Sequence, residues 1–216
     1  MPIRTTYTPF GRPAAYDVGE VLVELKAGGS FTIHLPAGYY EISVIGAGGG
    51  AGGGTYKSGN KTGGGGGGSG AGFIGVVWLS GGEYIFQCGK SGAGGSNART
   101  YGSLGEDGGD SFITLLGENL IFAQGGAGGL GGRTYTEITP TGRIVAEGGK
   151  LSINSKIRIE SFVVKSNGNN GQSWLNTKPG AAVDGVHGAG GSGVYKEYGL
   201  PGGNGYIKVA YLGLDI

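Results

Sequence analysis

Of the chain's 216 residues, 55 are Gly, and the formal net charge is only +1. A balance of 16 basic against 15 acidic side chains offers no patch for a polyanion, which sets nucleic acid and anionic membrane surfaces aside as partners. With 7 Pro and no strict every-third Gly the chain is not collagen, and a single Cys excludes an internal disulfide framework or a thiolate metal cluster.

Met1–Tyr7 opens no apolar run of signal-peptide length, and no stretch of ~18 apolar residues follows, so the expectation is a protein made in a cytoplasm without a membrane span. Residues 1–20 mix Pro2, Pro9, Pro13, Gly11 and Gly19 with polar residues and read as an extended arm. Phe10 and Tyr16 are its anchors, to a partner or to its own domain. Strands begin at Glu20–Leu25. Ser30–Leu35 alternates strictly, with Phe31, Ile33 and Leu35 on one face, and Tyr39–Ile45 makes a third strand after the turn at Pro36-Ala37-Gly38. Further strands are predicted at Phe73–Leu79, Glu83–Cys88, Ser111–Leu116, Asn119–Ala123, Lys150–Asn154, Lys156–Lys165 and Tyr206–Leu212. No window carries helical periodicity, so almost no α-helix is expected.

Between these strands run glycine tracts: Gly46–Gly54, Gly63–Gly72, Gly89–Gly95, Gly125–Gly132, Gly185–Gly193 and Gly202–Gly205. As linkers they would separate domains, yet they recur inside one domain-sized chain. Ordering Gly costs about 1–2 kcal/mol of backbone entropy per residue, so an ordered tract needs dense bonding in return. Packed threefold polyglycine II helices supply it, because no Cβ keeps neighbouring backbones apart. At ~3.1 Å per residue Gly46–Gly54 would span roughly 28 Å. The predicted fold is therefore all-β: an antiparallel β-sandwich or jelly-roll-like layer fused to a bundle of packed polyglycine II helices. Residues 1–28 form the arm and first strand, for attachment or capping, and 29–216 the glycine-rich domain with a β insertion at about 133–167.

Two nucleotide-site look-alikes fail. Gly46-Ala47-Gly48-Gly49-Gly50-Ala51 fits G-x-G-x-x-A, but no helix-forming run follows and the next acidic residue is Glu83. Cys88-Gly89-Lys90-Ser91 ends like a phosphate-binding loop, but Tyr84 stands where its first Gly belongs. His34 falls on the solvent face of a strand and His187 beside a glycine tract, without a second His or Cys at ligand spacing. Cys88 reads as a small buried hydrophobe rather than a nucleophile, and Glu106, Asp107 and Asp110 as turn residues around Gly108-Gly109 rather than a calcium loop. The expectation is no enzyme, no cofactor and no metal.

The order of pieces carries a resemblance. Leu35-Pro36-Ala37-Gly38-Tyr39-Tyr40-Glu41-Ile42 enters Gly46–Gly50. Gly72-Phe73, Gly82–Gly89, Gly108–Ile113 and Asn119–Gly129 then follow, with Gly202–Tyr211 as the ending. This resembles the glycine-rich, polyglycine II domain family of phage tail-fibre adhesins and bacterial surface proteins, and is similar to the glycine-rich ectodomain region of the anaplastic lymphoma kinase family. The resemblance covers about residues 29–132 and the ending. It implies a β-sandwich joined to polyglycine II helices, with loops at the helix ends contacting the host in the phage proteins. A receptor ectodomain would bring a signal peptide and disulfides, so the resemblance favours a virion protein. The implied function is a phage tail-fibre tip adhesin. Its partners would be a host-surface glycan or outer-surface protein, and other virion or fibre proteins through the N-terminal arm. It would act extracellularly at the virion surface, with a homo-oligomer open. The alternatives are a structural virion or filament subunit, and a small enzyme built on Cys88 or the Glu106–Asp110 stretch.

Loops between the tracts supply the candidate receptor-binding residues Tyr56, Lys57, Asn60, Arg99, Tyr101, Arg133, Tyr135, Trp174, Tyr195 and Tyr198. Lys61, Asn97, Asn167, Asn169, Asn170 and Lys196 accompany them. Tyr and Asn with an occasional Trp or Arg is the composition of adaptable paratopes. The same aromatics would also serve to cover a slab that has no side chains of its own.

Overall fold

The computed structural model describes residues 16–55, 63–99, 101–132, 146–171, 187–191 and 198–216, and among them there is no helix. The strands are β1 (Val21–Leu25), β2 (Gly29–Leu35), β3 (Gly38–Ile45), β4 (Gly72–Leu79), β5 (Gly82–Cys88), β6 (Ser111–Leu115), β7 (Glu118–Ala123), β8 (Leu151–Ile153), β9 (Arg158–Ser166) and β10 (Tyr206–Gly213). They form two five-stranded antiparallel sheets, ordered β1-β10-β3-β4-β9 and β2-β5-β6-β7-β8. Alternation turns Tyr40, Ile42 and Val44 of β3 and Phe73, Val77 and Leu79 of β4 inward. There they meet Leu35, Tyr84, Phe86, Ile113 and Ile121 of the other sheet. Each side chain buried this way contributes about 1.5–3 kcal/mol by leaving water. Two core tyrosines keep a polar partner: Tyr40 Oη donates to Pro36 O and Tyr84 Oη to Ser80 O, both at 2.7 Å. The stretch read as an insertion adds one strand to each sheet, β8 beside β7 and β9 beside β4.

The two ends of the sandwich differ. At one end the connections are short: residues 36–37, 80–81, 116–117 and 154–157. At the other, β3, β5, β7 and β9 run out into the long stretches 46–71, 89–110, 124–150 and 167–205. For the first three, the chain comes back as the antiparallel neighbour of the strand it left.

The described parts of these stretches form the glycine bundle. Residues 46–54 lie at its centre, buried along their whole length. Their N–H groups point in three directions with a period of three. Gly46, Gly49 and Gly52 donate to Ala71, Gly68 and Gly65. Ala47, Gly50 and Gly53 donate to Gly109, Glu106 and Ser103. Gly48 and Ala51 donate to Gly203 and Leu200, all at 2.8–3.0 Å. The acceptors fall in number as the donors rise, so these three neighbours are antiparallel. The carbonyls of 46–54 receive three parallel neighbours, through Gly126, Gly129 and Gly132, through Gly92, Gly95 and Ala98, and through Gly191. The six neighbours also bond to one another in a closed ring. Ala71 donates to Gln124, Gly108 to Gly126, Gly109 to Lys90, Gly205 to Gly89, Gly203 to Ala189 and Gly70 to Gly188. This is polyglycine II packing, a threefold helix held laterally rather than internally.

The periphery of the lattice ends in side chains that replace missing helices. Asp110 Oδ1 accepts from Gly125 N at 2.9 Å and Asp107 Oδ1 from Gly128 N at 2.7 Å, the next donor along the same row. Asn170 Oδ1 does the same for Gly148 N at 2.8 Å, Asn204 Oδ1 for Ser91 N at 3.3 Å and Ser103 Oγ for Ser96 N at 2.7 Å. Residues 106–110 are therefore not the turn that Asp and Gly suggested. They belong to an extended lattice member, and the three-residue spacing of Asp107 and Asp110 matches the helical repeat. Asp107→Ala strands the Gly128 N–H and is expected to lower stability by about 0.5–1 kcal/mol, with Asp107→Asn recovering most of it, as read from the urea midpoint.

Candidate functional site

The lattice leaves no room for a side chain at its glycine positions, and the central segment carries nothing larger than the buried methyl groups of Ala47 and Ala51. A Cβ built on Gly50 would stand 2.0 Å from Ala93 O, on Gly52 1.9 Å from Leu130 O and on Gly53 2.0 Å from Ser96 O. Residues with functional side chains must therefore lie on its outer faces or at its ends. The end away from the sandwich is marked by the parallel bridge between Thr55 and Ala98. Three of the candidate residues are described there. Arg99 follows Ala98 and is exposed. Tyr101 is 47% exposed and precedes Gly102, whose N–H donates to Gly132 O at 2.9 Å. Tyr198 is 65% exposed and precedes Gly199, whose N–H donates to Gly95 O at 2.8 Å. Rigid lattice members thus present one guanidinium and two phenol rings at a common end. Tyr56, Lys57, Asn60, Arg133, Tyr135, Trp174 and Tyr195 lie outside the described residues.

The companions Asn167, Asn169 and Asn170 do other work. Asn167 Oδ1 accepts from Leu151 N and Asn170 Oδ1 from Gly148 N, both at 2.8 Å, while Asn169 N donates to Ser69 Oγ at 2.7 Å. These residues read as an Asn-rich loop from sequence, and the structure makes them lattice members. Leu104 and Leu200 are exposed beside the tyrosines, a feature periodicity could not reveal because their segments have no amphipathic pattern. Tyr16 packs edge-on against Tyr211, with ring centroids 6.1 Å apart, so that end of the arm caps its own domain.

The residues weighed for catalysis are apart. Cys88 is buried, its Sγ 3.6 Å from Leu25 O, and burial pushes its thiol pKa up, away from the thiolate a nucleophile needs. His34 pairs with Glu83 while Cys88 pairs with Gly29, which puts the two about 17 Å apart along the sheet. His187 stacks on Tyr206, its ring centroid 4.3 Å away. Among the described residues no three His, Cys, Asp or Glu side chains converge as metal ligands. What the distal end offers chemically is stacking on exposed rings and hydrogen bonding from a fixed cation.

No curated protein matches the chain. A family model for a glycine-rich domain matches residues 26–213, from just after β1 to the end of β10, and so takes in both sheets and the bundle. The chain belongs to this glycine-rich domain family.

Proposed function

We propose that the chain is a bacteriophage virion surface protein, a tail-fibre tip adhesin that binds a host-surface glycan or outer-surface protein through the distal end of its glycine bundle. The observation that carries this reading is the exposure of Arg99, Tyr101 and Tyr198 at the end of a scaffold whose glycine positions admit no side chain. A backbone lattice bonded in six directions is stiff, so the residues at its end are ordered before binding and lose little entropy on contact. Tyr rings add broad contact area at small rotamer cost, and Arg pairs with carboxylates or phosphates of an outer surface. Burial of Cys88 takes its thiol away from the nucleophile role weighed for it. In this reading the protein acts outside the cell, with the N-terminal arm joining it to other virion proteins.

The test is adsorption of the purified protein to candidate host cells. Arg99→Ala, Tyr101→Ala and Tyr198→Ala are each expected to weaken binding about tenfold with an unchanged melting temperature, as truncation of a central aromatic or Arg contact does. Full binding by the triple variant would remove the distal end as the site. Failure to adsorb to the bacterium that the parent phage infects would leave a structural subunit instead.

A further inference from the structure

We infer that the end of the sandwich opposite the glycine bundle is a self-association surface, on which Leu116 of one copy enters an apolar pocket of a second copy related by a two-fold axis. The starting point is the β6–β7 hairpin. Its two turn residues both have left-handed backbones, Leu116 at φ 52° and Gly117 at φ 79°. Turns of this kind take Asn-Gly or Gly-Gly, because a bulky residue is strained at positive φ. Here the strained position holds a leucine that is also 92% exposed. Neither backbone preference nor solvation favours Leu there, so its side chain answers some other requirement.

That requirement has a structural counterpart beside it. Leu116 lines a pocket of about 310 Å³ whose other walls are Leu79, Tyr84, Leu115, Leu120 and Ile157, with Ser80, Glu118 and Lys156 as its polar part. It has room for a leucine side chain and apolar walls to receive it. Knob and hole lie side by side on one surface, which is the condition for an isologous contact: each copy gives its Leu116 and receives the other's. The charges agree. Glu118 and Lys156 both line the pocket, and they pair at 2.6 Å within one copy while remaining 55% and 67% exposed. A two-fold axis through this surface sets Glu118 of each copy against Lys156 of the other, so an intramolecular pair becomes a crossed intermolecular one. The same end also exposes Val18, Leu214 and Ile216, which extend the apolar area an interface can cover. Pairing through this end leaves the distal end of each copy uncovered. The inference does not depend on the adhesin reading.

Sedimentation equilibrium of the full chain from ~1 µM to ~1 mM is expected to show a reversible monomer–dimer equilibrium in that affinity range. Leu116→Asn removes the knob but suits the left-handed backbone. It is expected to weaken dimerisation at least about tenfold while the thermal midpoint of the monomer stays or rises. Lys156→Glu and Glu118→Lys should each dimerise poorly alone, and mixing the two should restore a heterodimer. A wild-type chain that stays monomeric across the range would overturn the inference, as would a Leu116→Asn variant that dimerises with wild-type affinity. A chain that remains monomeric and takes up an apolar fluorophore lost on Leu120→Lys would assign the pocket to a small ligand and overturn it too.

Discussion

Gly49→Val is expected to destabilise the protein by at least ~3 kcal/mol, while Gly81→Ala leaves its stability within ~0.5 kcal/mol of the parent. Both positions are Gly, and neither has a positive φ. They differ in what a side chain would meet. A Cβ on Gly49 would stand 2.1 Å from Ala127 O and 2.4 Å from its carbonyl carbon, atoms that belong to a packed backbone and cannot turn away. A Cβ on Gly81 has nothing closer than Ala37 N at 3.4 Å, an ordinary contact. Inserting Val at 49 must part the central segment from the 124–132 segment. The bonds from Gly126, Gly129 and Gly132 to Ala47, Gly50 and Gly53 then lengthen together. Each is worth about 1 kcal/mol, and the overpacking itself adds ~1–3 kcal/mol. Against a typical total stability of ~5–15 kcal/mol this is severe. Urea midpoints of the two variants decide it: a Gly49→Val midpoint equal to the parent's would mean the tract is not packed as described.

Alkaline pH is expected to destabilise the protein, through three buried acids whose protons the fold protects. Burial pushes the phenol of Tyr40 far up, with Tyr211, Tyr16 and Tyr84 nearby adding to it. Burial likewise raises Tyr84, against the hydrogen bond to Ser80, and raises the Cys88 thiol. In each case the folded pKa lies above the unfolded one, so the contribution is whole below the unfolded value and is lost as pH climbs toward the folded value. The window therefore opens at the ordinary 9.0 of Cys88 and the ordinary 10.0 of the tyrosines. Above it the unfolded chain releases protons that the folded chain keeps, at about 1.4 kcal/mol per pH unit per group. The contributions add where their windows overlap, so stability is expected to fall as pH climbs above ~10. Urea midpoints between pH ~8 and ~11 measure the slope. Tyr84→Phe should reduce it, since Phe has no proton to lose. A midpoint independent of pH over this range would contradict the burial of all three groups.

Strand positions were readable because side chains report the pleat. The alternation of Phe31, Ile33 and Leu35 placed β2, and the turn at Pro36-Ala37-Gly38 ahead of Tyr39–Ile45 placed β3, each to within a residue of its observed bounds. β9 was read two residues early at its start, where Lys156 and Ile157 belong to the turn after Asn154. Pairing was not readable. Nothing in Tyr206–Gly213 announces that the last strand slips between β1 and β3, because that choice depends on the faces of all three together. The bundle was legible as a composition and illegible as an arrangement: glycine has no side chain to name its neighbour. Asp107 and Asp110 did carry a signal, their spacing of three, but Asp next to Gly-Gly is also turn chemistry and that reading prevailed. Of the candidate residues, Arg99, Tyr101 and Tyr198 stand exposed at the bundle's end, a placement that follows from their exclusion at glycine positions within it. The exposure of Leu104, Leu116 and Leu200 had no sequence counterpart, since exposed leucines and buried ones look alike in a short run.

The period of three in the bundle sets a rule for change. Donors three residues apart face the same neighbour, so adding one triplet to each member of an antiparallel pair lengthens the scaffold and keeps every register. A single added residue would instead rotate all later donors toward the wrong neighbour. Arg99 and Tyr198 at the bundle's exposed end are under no such rule. They lie outside the packed interior, so their side chains can be exchanged without compensation in a core. The molecule is in this sense two inheritances in one chain: a frame that alters only in fixed increments, and an end that is free to diversify one residue at a time.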